Sequence, residues 1–133
     1  NSDQLAGWTR GIGIINQKYV VVRDELKTKS GIPATTIRWN ILTKASVKIE
    51  CNKVTLTSGG KQLFMIIDSP SQVTVRTWNT APTNDYDAPN DGFTLVGFEC
   101  TVSANSTAEL QVSMIPASSG LTSSNFNQPL SQW

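Results

Sequence analysis

The sequence predicts an all-β protein built as an antiparallel β-sandwich, and three observations carry that prediction. Apolar and polar residues alternate with period two over several segments. Turn-forming residues interrupt those segments roughly every eight to twelve positions. No stretch of useful length has the periodicity of an amphipathic helix. The 133 residues fit one domain over 1–133, large enough for an ordinary core.

Composition agrees: 38% of residues are hydrophobic and 16% charged, and Thr, Ser, Val and Asn are abundant. A net charge of +1 directs no strong field at nucleic acid or a membrane surface. No run approaches the roughly 18 apolar residues of a membrane-spanning helix. The chain starts at Asn1 with neither an initiator Met nor a signal region, and is expected to be a processed or excised piece.

Taken in order, Asn1 to Arg10 is mostly polar and is expected to be an approach segment. Gly11 to Ile15 can pair as a first strand, and Asn16-Gln17 reads as a turn. Lys18 to Leu26 is the second strand, apolar on both faces in its middle. Lys27 to Pro33 is a loop broken by Gly31 and Pro33. Thr35 to Leu42 alternates cleanly and places Ile37, Trp39 and Ile41 on one face.

The stretch Ser46 to Pro70 organises the rest. Val47, Ile49 and Cys51 share one phase, which changes to Val54 and Leu56 after Asn52-Lys53, so a tight turn or a bulge is expected there. Ser58-Gly59-Gly60 supplies the positive φ angles of a hairpin. Leu63 to Ile67 is apolar on both faces, as a central strand covered on both sides would be, and Asp68-Ser69-Pro70 ends it. Gln72 to Trp78 follows, with Val73 and Val75 inward and Thr74, Arg76 and Trp78 outward. Asn79 to Gly92 is irregular. Phe93 to Val102 and Thr107 to Ile115 are two further strands, and 116–133 is a polar tail.

The order Arg10, Tyr19-Val20-Val21-Val22-Arg23-Asp24, then Trp39-Asn40-Ile41-Leu42-Thr43 resembles the β-sheet region of heparinase II/III-type polysaccharide lyases. Val54-Thr55-Leu56, the strand Phe64 to Ile67 and the terminal Pro129-Leu130-Ser131-Gln132-Trp133 fit the same region. The resemblance implies a C-terminal β-sandwich that follows an α/α toroid catalytic domain. It further implies β-elimination on uronic acids of an acidic polysaccharide by the parent protein, in an extracytoplasmic setting. Leu42 stands where the family's Trp-x-x-His-type strand carries histidine, and the chain has no histidine at all. The resemblance therefore implies an accessory portion, supporting a catalytic domain supplied elsewhere.

The residues themselves also argue for a non-catalytic chain. Proton abstraction and leaving-group protonation need a positioned base and acid. The tyrosines are Tyr19, in an apolar strand run, and Tyr86, between Asp85 and Asp87; neither has a histidine or an arginine beside it in sequence. Without histidine a Ser/His/Asp triad is excluded, and Gly11-Ile12-Gly13 lacks the third glycine and the helix of a dinucleotide loop.

No cofactor or metal is assigned. Two sulfurs and no histidine cannot form the usual four-ligand zinc site. Asn84 to Gly92 has the oxygen-rich composition of a calcium loop and equally that of an ordinary turn-rich loop. Cys51 and Cys100 each fall in the apolar phase of a strand and are expected to be buried thiols; a bridge between them is left open.

Sugar contact is the second functional expectation. Glycan sites pair aromatic platforms with hydrogen-bonding side chains. The outward phase offers Trp78 with Arg76, Asn79 follows, and Arg38 and Lys48 are outward on their own strands. These residues suit an acidic glycan. Trp8 and Trp133, near the termini, are expected to pin the chain ends.

Overall fold

Period-two alternation resolves into nine strands in a computed structural model that describes residues 5–70, 73–78, 93–124 and 126–133. In chain order they are β1 (Leu5–Ile15), β2 (Tyr19–Thr28), β3 (Thr35–Thr43), β4 (Ser46–Glu50), β5 (Lys53–Ser58), β6 (Lys61–Ser69), β7 (Val75–Trp78), β8 (Thr94–Val102) and β9 (Thr107–Pro116). A six-stranded sheet has the order β1-β2-β9-β6-β5-β4, and a three-stranded sheet has the order β3-β8-β7. Every pairing is antiparallel. The all-β sandwich is the observed fold.

The hairpin signals are realised with two adjustments. Ser58 pairs with Lys61 across Gly59 (φ 56°) and Gly60 (φ 79°), the double positive φ of a two-residue hairpin turn. Ile49 opposes Val54 and Val47 opposes Leu56, so the phase change is a two-residue turn and not a bulge. That turn is Cys51-Asn52, one residue earlier than expected, with Cys51 at φ 56°. Cys51 is therefore an exposed turn residue and not a buried strand thiol. The segment before Gly11 also differs from expectation: β1 starts at Leu5 and pairs with β2 over its whole length.

The inner faces meet in the main core. Val22 and Leu26 of β2, Val112 of β9, Met65 and Ile67 of β6, and Val54 and Leu56 of β5 pack against Trp39 of β3, Val75 of β7, and Val96 and Phe98 of β8. The Trp39 and Phe98 rings stack with centroids 6.0 Å apart. These two directly opposed residues are the aromatic centre of the small sheet.

Strand β6 is buried on both faces, as its composition requires. Met65 and Ile67 face the other sheet, while Ile66 joins Tyr19, Val21 and Ile115 in a second cluster on the opposite face. Leu121 and Phe126 of the tail pack against that second cluster. The tail, expected only as a polar remainder, thus covers the outer face of the large sheet. Gln111 Nε2 donates to the Phe126 carbonyl at 2.8 Å and the Leu130 amide donates to Glu25 at 3.0 Å. Trp133 meets Phe126 edge to face at 5.5 Å, and its ring would stand 2.9 Å from a Cβ on Gly11 and 3.2 Å from one on Gly13. Trp133 does pin the chain end. Trp8 is 60% exposed, and its Nε1 ties β1 to Asp24 of β2 at 3.3 Å.

The sheets are unequal in width, and this shapes the surface. On β1, Gly11 and Gly13 lie against the tail, so Ile12 and Ile14 point to the inner-face side. Both stay exposed, at 66% and 72%, because the three-stranded sheet does not cover them. The result is an apolar ledge along an edge strand.

Gly97 of β8 lies opposite both Asn40 and Arg76. A Cβ there would run into the Trp39 carbonyl oxygen and come within 2.7 Å of Asn40 Cα. We expect Gly97→Ala to destabilise the protein by about 3 kcal/mol, since backbone cannot yield as a side chain can. Gly7→Ala, where nothing lies within 4 Å, should change stability by less than about 0.5 kcal/mol. Urea denaturation giving equal midpoints for the two variants would contradict this account of the β3–β8 contact.

Candidate functional site

Alternation on the small sheet sends one set of side chains into the core and the other to solvent. Trp39, Val75, Val96 and Phe98 go inward. Arg38, Glu99, Arg76 and Trp78 therefore share the outer face, because Arg38 opposes Glu99 and the other two follow Val75 in phase. The diagonal from Arg38 to Trp78 passes over Gly97, which has no side chain to block it. The Arg38 guanidinium lies 4.4 Å from the Trp78 ring centroid, and that of Arg76 lies 6.0 Å away. Glu99 sits between the two cations, 4.0 Å from Arg38 and 3.8 Å from Arg76. Three of the four residues expected to contact glycan are thus brought together; Asn79 lies outside the described residues. Lys48 is elsewhere, on β4, 3.7 Å from Glu50.

Arg38 also belongs to a second feature. A cleft of about 200 Å³ opens between β1–β2 and β3, lined among others by Trp8, Arg10, Asp24, Arg38, Trp39 and Asn40. Asp24 is 1% exposed and is held by Arg10 through two bonds of 2.6 and 2.9 Å. Trp8 Nε1 adds a third, at 3.3 Å. A buried carboxylate is tolerated only with such partners. The bond to Asp24 is also what raises the Arg10 guanidinium above its ordinary value, with burial working the other way. Trp39 Nε1 is buried and has no acceptor among the described residues.

The outer face of the large sheet carries a further polar cluster beneath the tail. Arg23 donates to Glu25 and to Gln111, both at 2.9 Å. Gln111 passes the chain on to Asp68 at 3.0 Å, and the Ser113 hydroxyl donates to the same Asp68 oxygen. A register shift between Ile67 and Ser69 makes Asp68 the extra residue of a bulge opposite β9. Burial pushes the Asp68 carboxyl up, against the lowering effect of the Gln111 and Ser113 bonds. The Glu25 carboxyl is held down by Arg23 and by the Leu130 amide.

Tyr19 is packed in the tail-covered cluster, where its oxygen accepts from the Ser124 hydroxyl at 3.2 Å. Tyr86 and the stretch Asn84 to Gly92 lie outside the described residues. Cys100, opposite Ile37, is half-buried, and burial pushes its thiol up. Cys51 and Cys100 are both free. Among the described residues no group of three or more Cys, Asp or Glu is placed to hold a metal, and no helix is long and apolar enough to cross a membrane.

Sequence reasoning missed Arg10, Asp24, Asn40 and Glu99. Trp8 and Arg10 alternate with Gly7, Thr9 and Gly11, a signal that would have extended β1 backward. The fold and this face define a two-sheet antiparallel sandwich with clustered aromatic and basic side chains on its smaller sheet. No family model matches the sequence, and no curated protein sequence matches it.

The two perturbed carboxyls have opposite pH signatures. Glu25, lowered from 4.5, contributes stability above that value and loses it as pH falls through the folded pKa. Asp68, raised from 3.8, contributes below that value and loses its contribution as pH rises through its folded pKa. Melting curves across pH should therefore show Glu25→Gln less acid-sensitive than the parent below pH 4.5, and Asp68→Asn flatter above pH 3.8. Parallel profiles for parent and variants would contradict both assignments.

Proposed function

We propose that this chain is a non-catalytic accessory β-sandwich of a heparinase II/III-like polysaccharide lyase, docking to and supporting a separate α/α toroid catalytic domain. The apolar ledge of Ile12 and Ile14 carries this reading. Large aliphatic side chains on the inner-face side of a sheet are ordinarily covered, and exposed apolar strips mark contact surfaces. Farther along the same side of β1, past Arg10, stands the exposed Trp8, an amphipathic side chain suited to an interface. Two further points favour support over chemistry: the sequence has no histidine, and Tyr19 is spent on packing and on Ser124.

A second reading, a carbohydrate-binding module for acidic glycans, is favoured by Arg38, Arg76 and Trp78 meeting on one face. Two guanidiniums around one carboxylate leave a net positive charge there, and the adjoining cleft is lined by Asn40. Sugar rings stack on indoles, and guanidiniums recognise carboxylates and sulfates in pairs of bonds. Both readings can hold at once, since Ile12 and Ile14 lie on β1 and the Arg38–Trp78 cluster lies on the outer face of the small sheet.

Docking predicts that Ile12→Ser with Ile14→Ser leaves the melting temperature nearly unchanged yet abolishes co-elution with the separately expressed toroid domain of the parent reading frame. A reading frame encoding no toroid would reject it. For the glycan reading, calorimetric titration with uronate-containing and sulfated oligosaccharides should give roughly millimolar or tighter binding that weakens with salt. Trp78→Ala should weaken that binding at least about tenfold. No heat across the panel would remove this second reading.

A further inference from the structure

The tail does not lie flat on the large sheet. Beyond the apolar cluster, a cleft of about 550 Å³ opens between the polar part of that face and the returning chain. This is within the size range of small-molecule sites, about 300–1,000 Å³. Its floor is built from buried polar groups: Gln111 is 2% exposed and Arg23 is 7% exposed. Phe126 stands at one side, and the exposed Ser123 and Asn127 form the rim.

The hydrogen-bond inventory of that floor is nearly closed, and its leftovers point in both directions. Gln111 spends its carbonyl on Arg23 and its amide on Asp68 and the Phe126 carbonyl. Arg23 spends Nε on Glu25 and Nη1 on Gln111, leaving Nη2 as a spare donor among the described residues. Asp68 accepts the Ser113 hydroxyl and the Gln111 amide on Oδ2, leaving Oδ1 as a spare acceptor among the described residues. Asn52 donates Nδ2 to the Ile67 carbonyl at 3.0 Å and keeps Oδ1.

We infer that this cleft binds a neutral, hydroxyl-rich ligand, a sugar ring or a polyol of similar size. A cation would face Arg23, and an anion would face Asp68, so neither ionic class is favoured over the other charge. Hydroxyl groups both donate and accept, matching a cleft whose lining includes a carboxylate with a spare oxygen and a guanidinium with a spare nitrogen. The ring of Phe126 gives the apolar side of a sugar something to lie against. A half-buried carboxylate oxygen short of donors gains most from such a ligand, because desolvation without hydrogen bonds is costly. This site is distinct from the Arg38–Trp78 face and requires nothing of that face.

The test is a titration of the whole chain, followed by nuclear magnetic resonance, with glucose, galactose, mannose and N-acetylglucosamine as probes and glucuronate as the anionic counterpart. At least one neutral sugar should move the Gln111 side-chain amide and the Asn127 backbone amide saturably, at concentrations up to about 50 mM. Asp68→Ala should weaken that binding at least about fivefold. Asn127→Ala, an exposed change that leaves the floor intact, should do the same, and keeps the test open where Asp68→Ala fails to fold. The inference is overturned by the absence of saturable shifts with all four neutral sugars, by glucuronate moving the Gln111 and Asn127 amides with the same affinity as they do, or by Asn127→Ala leaving the affinity unchanged.

Discussion

The large sheet must hide both of its faces at once, and the remaining structure follows from that constraint. Val21 of β2, Met65 and Ile67 of β6, and Val112 and Ile115 of β9 are all fully buried, and they do not lie on one side. Met65, Ile67 and Val112 look into the sandwich; Val21 and Ile115 look away from it. A three-stranded sheet covers the first face. The second is covered by the chain's own last residues, through Leu121 and Phe126, with no second sheet. Burying an aliphatic or aromatic side chain is worth about 1.5–3 kcal/mol, so leaving this cluster wet would cost a large share of a small domain's stability.

Unequal covers account for the surface. Where the small sheet ends, β1 keeps its inner-side residues in water, and the ledge of Ile12 and Ile14 results. Where the tail runs out of apolar partners, β2, β6 and β9 switch to Arg23, Asp68 and Gln111. Those groups can be buried only because each uses another: guanidinium to amide oxygen, amide to carboxylate, and amide again to the tail carbonyl at Phe126. The same network fixes where the tail lies. Structure and polar cleft are therefore one arrangement seen from two sides, and the aromatic–basic face of the small sheet is independent of it.

Local pattern revealed the strands well because period two is a direct consequence of pleating. The Gly59-Gly60 turn, the two-faced strand at Leu63 to Ile67 and the outward phase of Arg38, Arg76 and Trp78 were all readable in this way. That Arg38 reaches Trp78 was not, since it depends on β8 lying between β3 and β7 and on Gly97 being bare. Cys51 was misplaced because turn and strand end share its phase, and only register distinguishes them. Asp24 sits in an apolar run whose partner, Arg10, is on a strand whose glycines hid its periodicity. The tail looked like a remainder because its burial comes from two well-placed apolar residues and from backbone bonds, which composition does not weigh. No residue pattern announced the cleft beneath it.

The central claim, that the C-terminal segment is the second cover of the core, is tested most directly by ending the chain at Pro116. Thermal unfolding and amide hydrogen exchange would be compared with those of the full chain. The account predicts a melting temperature lower by more than about 10 °C and lost protection along β2, β6 and β9. An unchanged transition, with those three strands equally protected, would contradict it.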